Sequence, residues 1–444
     1  MWGMKIFFRR QLIVALALVL FVSGASCKSK KKEPAAPANP MAQAFMKSQE
    51  TAKVQNEELK KQVNALITFN REIAIKDEKS KAFNEVTSQK LVWDMKTGWN
   101  LGNTLDATGG AGLKSETSWS MPLTTKAMID GLAASGIKTI RIPVSWSRHI
   151  IDTKYTIDPK WMARVKQIVD WAIENDMYVI LNIHHDNYDK NAKMPAFSGF
   201  YPTNQNYDES LRFVCNVWAQ ISLAFNNGYD EHLVFETLNE PRLSGTDEEW
   251  WYDQSSKLSR EAMSNVNKLN QSILDTIRDS GGNNKKRIVA CPSLQASPES
   301  AMAFSFEMPK DYDKSLKRLI VSVHMYTPYS FAMEAPGVSK FSADVEKEYV
   351  NTFKRLNETF ISKGYAVYVG EYGATNKNNL DDRVKWFGSF IKNSQKYGIA
   401  CILWDNGVWQ VEGNDYSEHY GFYNREKQTW YFPEIIRAIN EEVK

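Results

Sequence analysis

Leu233-Val234-Phe235-Glu236-Thr237, followed at once by Leu238-Asn239-Glu240-Pro241, decides what fold this chain adopts. The first five residues are mostly apolar and β-branched or aromatic, which suits a short buried strand. The polar residues after them stand where such a strand gives way to a loop. Similar runs recur from Leu91 onward, near Gly98–Leu101, Thr139–Ile142, Tyr178–Asn182, Arg287–Ala290, Leu319–His324, Ala366–Gly370 and Cys401–Trp404. Helical patterns fall between them, as at Met162–Asn175, Glu261–Ser280 and Asp381–Tyr397. Strands alternating with helices over roughly 350 residues predict an α/β fold, a (β/α)8 TIM barrel with enlarged βα loops. A doubly wound open sheet is the competing architecture, but no Gly-rich phosphate loop follows the first run.

A parallel barrel builds its active site at the C-terminal ends of its strands. Arg141 ends the second run, His184 and His185 the third, and Asn239 and Glu240 the fourth. His324 and Tyr326 end the sixth, Glu371 the seventh and Trp404 the eighth. Each alone has an ordinary structural explanation, such as a salt-bridged arginine or a solvated carboxylate; so many strand ends together do not. Glu240 and Glu371 come from well-separated strands and can face each other across the barrel mouth. Glycosidic cleavage needs such a pair: one carboxylic acid protonates the leaving oxygen, and the other attacks the anomeric carbon or activates water. A gap of about 5 Å gives retention and one of roughly 6.5–9.5 Å inversion. Asn239 is placed to bond a sugar 2-OH, and Arg141 and Tyr326 to hold Glu371 ionised. Glu240 is expected to have a raised pKa in the free enzyme so that it can donate. His184-His185-Asp186 looks superficially like metal-ligand material. In a strand, however, adjacent side chains point to opposite faces, so only one histidine is expected to reach the site. No metal or other cofactor is expected.

The charge balance, 55 basic against 52 acidic residues, argues against a nucleic-acid partner and is compatible with a neutral polymer. The 14 Trp and 19 Tyr offer aromatic faces of the kind that sugars stack on, although most are expected in the core. Lys5, Arg9 and Arg10 precede an apolar stretch at Leu12–Val22, which reads as an export signal and is too short for a membrane span. Ser23-Gly24-Ala25-Ser26 then leads to Cys27, which resembles the acylated cysteine of a bacterial lipoprotein. Gly24 departs from that pattern, which usually has Leu there; ordinary signal cleavage nearby is the alternative. Residues 28–40 read as a flexible tether, 41–90 as a polar helical spacer or a helix laid against the catalytic body, and 91–444 as the catalytic domain. Cys215, Cys291 and Cys401 read as buried free thiols, and an oxidising compartment would also permit one disulfide among them. A monomer is expected, with a polysaccharide substrate and a membrane contact only through a lipid anchor.

Leu238-Asn239-Glu240-Pro241 and Gly370-Glu371-Tyr372-Gly373 resemble the acid/base and nucleophile motifs of glycoside hydrolase family 5. Gly98-Trp99-Asn100-Leu101-Gly102-Asn103-Thr104-Leu105-Asp106 and Glu116-Thr117-Ser118-Trp119 are similar to its subfamily 4. So are Arg141-Ile142-Pro143-Val144-Ser145-Trp146, Asn239-Glu240-Pro241-Arg242-Leu243 and Val323-His324-Met325-Tyr326-Thr327-Pro328-Tyr329. The resemblance implies Glu240 as general acid/base, Glu371 as nucleophile, Arg141 as the residue orienting it, and Asn239 as the 2-OH contact. It implies the family's strand-three histidine at His184, its acid-side histidine at His324, its nucleophile-side tyrosine at Tyr326, an aromatic platform at Trp404, and, less directly, substrate contacts from Asn103, Trp146 and His185. It also implies hydrolysis of internal β-1,4 bonds in cellulose-type, mixed-linkage or xyloglucan chains. Ser120-Met121-Pro122 departs from the subfamily's usual Gly-Asn-Pro, and the aromatic Asn187–Tyr207 loop is particular to this chain; both leave the substrate preference open. A β-mannanase shares the fold and both motifs. A non-catalytic, lipid-anchored glycan-binding barrel would require a missing carboxylate, and both are present.

Overall fold

The computed structural model describes residues 40–73, 80–188, 193–313, 317–410 and 418–443. The expected leader, Cys27 and most of the tether lie outside them. The chain divides into two compact units, Met1–Asn56 and Glu57–Lys444. In the first, the described residues from Pro40 onward are helical. Among the described residues no helix is long and apolar enough to cross a membrane.

The second unit is a closed parallel barrel of eight strands. They are β1 (Thr97–Asn100), β2 (Thr139–Ile142), β3 (Tyr178–Asn182), β4 (Leu233–Glu236), β5 (Val289–Pro292), β6 (Leu319–Met325), β7 (Ala366–Tyr372) and β8 (Ala400–Leu403). The helices are α1 (Pro40–Ile73), α2 (Ser88–Met95), α3 (Lys126–Ala134), α4 (Pro159–Glu174), α5 (Tyr207–Ala224) and α6 (Lys257–Asp279). They continue as α7 (Pro298–Ala301), α8 (Tyr329–Ala332), α9 (Ala343–Thr359), α10 (Leu380–Gln395) and α11 (Pro433–Glu442).

Strand alternation sorts the side chains into two cores. Ile140, Ile142, Val179, Leu181, Phe235, Val321, Val323, Val367 and Val369 face outward and join the helices. Ile180, Val234, Ala290, Ile320, Tyr368, Ala400 and Ile402 face inward, where they meet Leu91, Val92 and Met95 of α2. Helix α2 therefore plugs the N-terminal end of the barrel. Thr87 caps it through Lys90 N at 3.2 Å, and Thr139 Oγ1 bonds its last carbonyl, on Met95, at 2.7 Å. The expected domain boundary at Leu91 falls inside this helix, so the plug belongs to the barrel as a whole and not in part to a spacer. Apolar content alone hides it, because a single turn contributes Leu91, Val92 and Met95. Leu59, Val63 and Ile67 of α1 are likewise buried in the outer core, and Asn70 Nδ2 bonds Asn216 Oδ1 at 2.7 Å. From Glu57 onward the expected spacer thus belongs to the compact unit.

One irregularity positions the site. Val323 pairs with Val369, but His324 pairs with Glu371, so Gly370 is the extra residue of a β-bulge. On β8, Val369 pairs with Cys401 and Tyr372 with Leu403, which shows the same step. Simple alternation from outward-facing Val369 would turn Glu371 outward as well after an inward residue at 370. The bulge instead aims Glu371 into the mouth while Tyr372 packs outward.

Candidate active site

Above the apolar plug, the inward side chains become polar: Asn100, Arg141, Asn182, Glu236, Ser322 and Tyr368 are all fully buried. Arg141 is their hub. Its Nε bonds Glu236 Oε2 at 2.8 Å, Nη1 bonds Glu371 Oε1 at 2.8 Å and Asn100 Oδ1 at 3.0 Å, and Nη2 bonds Asn239 Oδ1 at 2.6 Å. Glu236 also accepts from Asn182 Nδ2 at 2.8 Å, Ser322 Oγ at 2.6 Å and the Tyr368 hydroxyl at 2.9 Å. Burial pushes the Glu236 carboxyl up, but Arg141 and the hydrogen bonds outweigh it and leave its pKa lowered. Glu236 is missing from the residues expected at the site because the apolar run reads through to Thr237, whereas the strand itself ends on Glu236. It neighbours the outward-facing Phe235, so alternation turns it inside the barrel, beside Arg141.

Glu371 accepts from Arg141 and, at 3.1 Å, from the Tyr326 hydroxyl. Glu240 Oε1 lies 2.7 Å from His324 Nδ1, which is itself 3.7 Å from Glu371 Oε2. One carboxylate oxygen each of Glu240 and Glu371 come within 4.8 Å of one another. Asn239 spends its Oδ1 on Arg141, so its NH2 is the half left to donate to a ligand. The Trp404 indole lies parallel to the His184 ring, 5.9 Å away with a 3° interplanar angle. Its ring edge presses on Gly102, where any side chain would collide with it and with Asp405 O. Arg425 locks these two loops together, bonding Gly102 O at 2.9 Å and Asp405 O at 2.8 Å.

Three expectations need correction. His184 and His185 lie beyond the end of β3, so strand alternation does not govern them, and both rings reach the mouth, 4.4 Å apart. Trp146 is fully buried, with Nε1 on Asn182 O at 2.9 Å and its backbone N on Asp186 at 2.8 Å; it offers a ligand no surface. Glu240 does not have the expected raised pKa. Burial does push it up, but the His324 hydrogen bond and charge, with Arg242 and His185, leave it lowered. His324 is correspondingly raised: burial lowers it, and the charges of Glu371 and Glu240 outweigh that. The proton needed for catalysis therefore belongs to the Glu240–His324 pair and not to Glu240 alone.

Asn103 holds a left-handed backbone (φ 56°) with its N–H on Asp106 at 3.0 Å. Ser120, where the subfamily more usually has Gly, also has positive φ (64°), which explains why glycine suits that position. Met121 then packs its sulfur against Gly407 on the loop after β8. Phe200 and Tyr201 of the loop expected to shape the cleft are fully buried, and Phe197 packs edge-on against Tyr155 at 4.7 Å. Cys215, Cys291 and Cys401 are buried free thiols. Among the described residues, Asp106–His184–His185 and Glu240–His324–Glu371 cluster closely enough to ligate an ion. Each is accounted for by other bonds: Asp106 accepts from the N–H groups of Asn103 and Thr104, and His184 Nδ1 pairs with the Asn182 amide at 3.2 Å.

With this geometry in view, the sequence profile described as Cellulase (glycosyl hydrolase family 5) matches residues 105–409. The chain belongs to glycosyl hydrolase family 5. Endoglucanase B of Ruminococcus albus is 43% identical over 360 residues, 80% of this chain and 81% of that protein. A family 5 lichenase from Caldicellulosiruptor sp. F32, solved as a mutant with cellotetraose, superposes with a TM-score of 0.75 at 38% identity. The match covers 84% of this chain and all of that one (100%). A GH5-4 broad specificity endoglucanase from Ruminococcus champanellensis, with cellotriose bound, gives 0.73 at 37% identity over 81% of this chain and 99% of its own. The resemblance to subfamily 4 read from the motifs therefore meets structures assigned to that subfamily.

Proposed function

We propose that this family 5 hydrolase is a retaining endo-β-1,4-glucanase that cleaves internal bonds of β-glucan chains by double displacement. The observation that carries the reading is the approach of Glu240 and Glu371 oxygens to within 4.8 Å. That spacing suits a nucleophile and an acid/base, and falls short of the roughly 6.5–9.5 Å between the carboxyl groups of an inverting enzyme. Glu371, fixed by Arg141 and Tyr326, attacks the anomeric carbon from one face. The departing oxygen takes the proton of the Glu240–His324 pair through Glu240. Glu240, now ionised, then takes a proton from the water that breaks the Glu371 ester.

Relatives solved with cello-oligosaccharides support a glucan backbone as substrate. Cellulose-type and mixed-linkage glucans fit that backbone, and xyloglucan is the branched candidate. The basic–apolar leader and Cys27 support export, with acylation at Cys27 anchoring the enzyme to a bacterial membrane; a monomer acting on an extended polymer needs no partner subunit. Incubation with β-glucan, xyloglucan and β-mannan tests the substrate class. Oligosaccharides released from the two glucans are expected; release from mannan alone would overturn the reading.

A further inference from the structure

Arg242 follows Glu240 by two residues and has so far entered only as one of the charges acting on it. Its Nη1 lies 4.0 Å from Glu240 Oε2 and 3.8 Å from Glu249 Oε1. The guanidinium carbon sits 4.1 Å over the Trp250 ring, an indole that is 62% exposed. Its Nε is buried without a hydrogen-bond partner, so two carboxylates and one aromatic face hold the cation in place. All four residues share the loop between β4 and α6. Glu249 is itself fixed, since its Oε2 accepts from Gly245 N at 3.0 Å.

We propose that Arg242 sets the proton affinity of the acid/base Glu240, with Glu249 as the competing counter-ion and Trp250 as the support that holds the guanidinium between them. The proposal rests on the assignment of Glu240 as acid/base. A cation at this distance from a carboxylate favours its ionised form, so the neighbouring Glu240 gives up its proton to the leaving sugar more readily. Glu249 draws part of the cation's field away, which helps keep the proton on the Glu240–His324 pair. The other groups facing Glu240 are His324 on β6, Tyr326 just beyond it, His185 after β3, Glu371 on β7 and Glu418. Substitutions at 242 and 249 leave all of them in place.

The test is the pH dependence of kcat/KM on soluble β-glucan for the full chain and for Arg242→Gln, Arg242→Lys and Glu249→Gln. The alkaline limb reports loss of the donated proton, and the acid limb reports ionisation of the nucleophile. Arg242→Gln is expected to move the alkaline limb up by about 1 pH unit. Glu249→Gln should move it down, Arg242→Lys should restore most of the wild-type position, and the acid limb should stay in place. Structural damage would lower the rate at every pH without moving one limb in opposite directions. An alkaline limb that stays in place in both Arg242→Gln and Glu249→Gln would overturn the proposal; if Arg242→Gln does not fold, the sign of the Glu249→Gln shift decides alone. An unsubstituted chain that cleaves no β-glucan would instead overturn the functional reading beneath it.

Discussion

Arg141, fully buried, joins two carboxylates with different tasks, and the difference is testable residue by residue. Glu236 neutralises Arg141 from below, inside the barrel, while Glu371 meets it from above, at the mouth. Glu236→Ala leaves a buried cation short of a partner and should cost about 3–5 kcal/mol of stability, read as a lower Tm. Glu371→Ala should lower Tm less than Glu236→Ala, because Glu236 remains to neutralise Arg141, yet abolish measurable hydrolysis. Glu240→Gln should lower kcat by about 10²–10⁴-fold on polysaccharide and by much less on an aryl glycoside whose leaving group needs no proton. Equal losses on both substrates would contradict the role of general acid. The two glutamates, Arg141, Asn239, His324 and Tyr326 are legible in the sequence as chemistry placed at strand ends. Glu236, Asn182 and Tyr368 are not, because a residue counted as part of a strand run stays hidden until register fixes which face it takes.

Elements explain why those side chains converge. The eight runs of apolar residues locate every strand to within a residue or two, since alternation with amphipathic helices leaves little other choice of fold. Two features stay hidden. The bulge at Gly370 is a matter of pairing between β6 and β7, which composition does not encode; it is nevertheless what turns Glu371 inward. A side chain at 370 would stand 3.2 Å from His324 Nε2 and 3.3 Å from Ser322 Oγ. Gly370→Ala should therefore displace Glu371 or His324, and a shift of about 1 Å can cost roughly 100-fold in rate; activity should fall far more than Tm. Helix α2 is the second. A chain shortened to begin at Leu91 loses Thr87, which caps the helix, and its first turn. It should melt well below one that begins at Ser80. Equal melting temperatures would show that the plug is dispensable.

Across the whole molecule, acid is the expected weakness. His149 lies flat against Trp161 with ring centroids 3.6 Å apart, and neither ring nitrogen has a partner. Burial pushes its pKa down to about 4, with Asp158 opposing weakly. The unfolded chain takes up that proton near about pH 6.5, while the folded one refuses it until about pH 4. Stability from this site is thus lost as pH falls through that window, and is flat above it. His149→Phe should raise Tm at pH 5 relative to wild type by more than it does at pH 7.5; the same difference at both would remove His149 as the cause. The fold, the family and the glutamate pair are legible in the sequence, because each depends on local pattern. Shared protons are not, because the Glu240–His324 contact joins strands 84 residues apart. The central claim is that Glu371 forms a covalent bond to the sugar while Glu240 handles the proton. Mass spectrometry after exposure to a 2-deoxy-2-fluoro cellobioside with a good leaving group tests it directly. One added fluorosugar, on the peptide containing Glu371, is the predicted result; turnover of β-glucan with no adduct there and α-configured first products would contradict it.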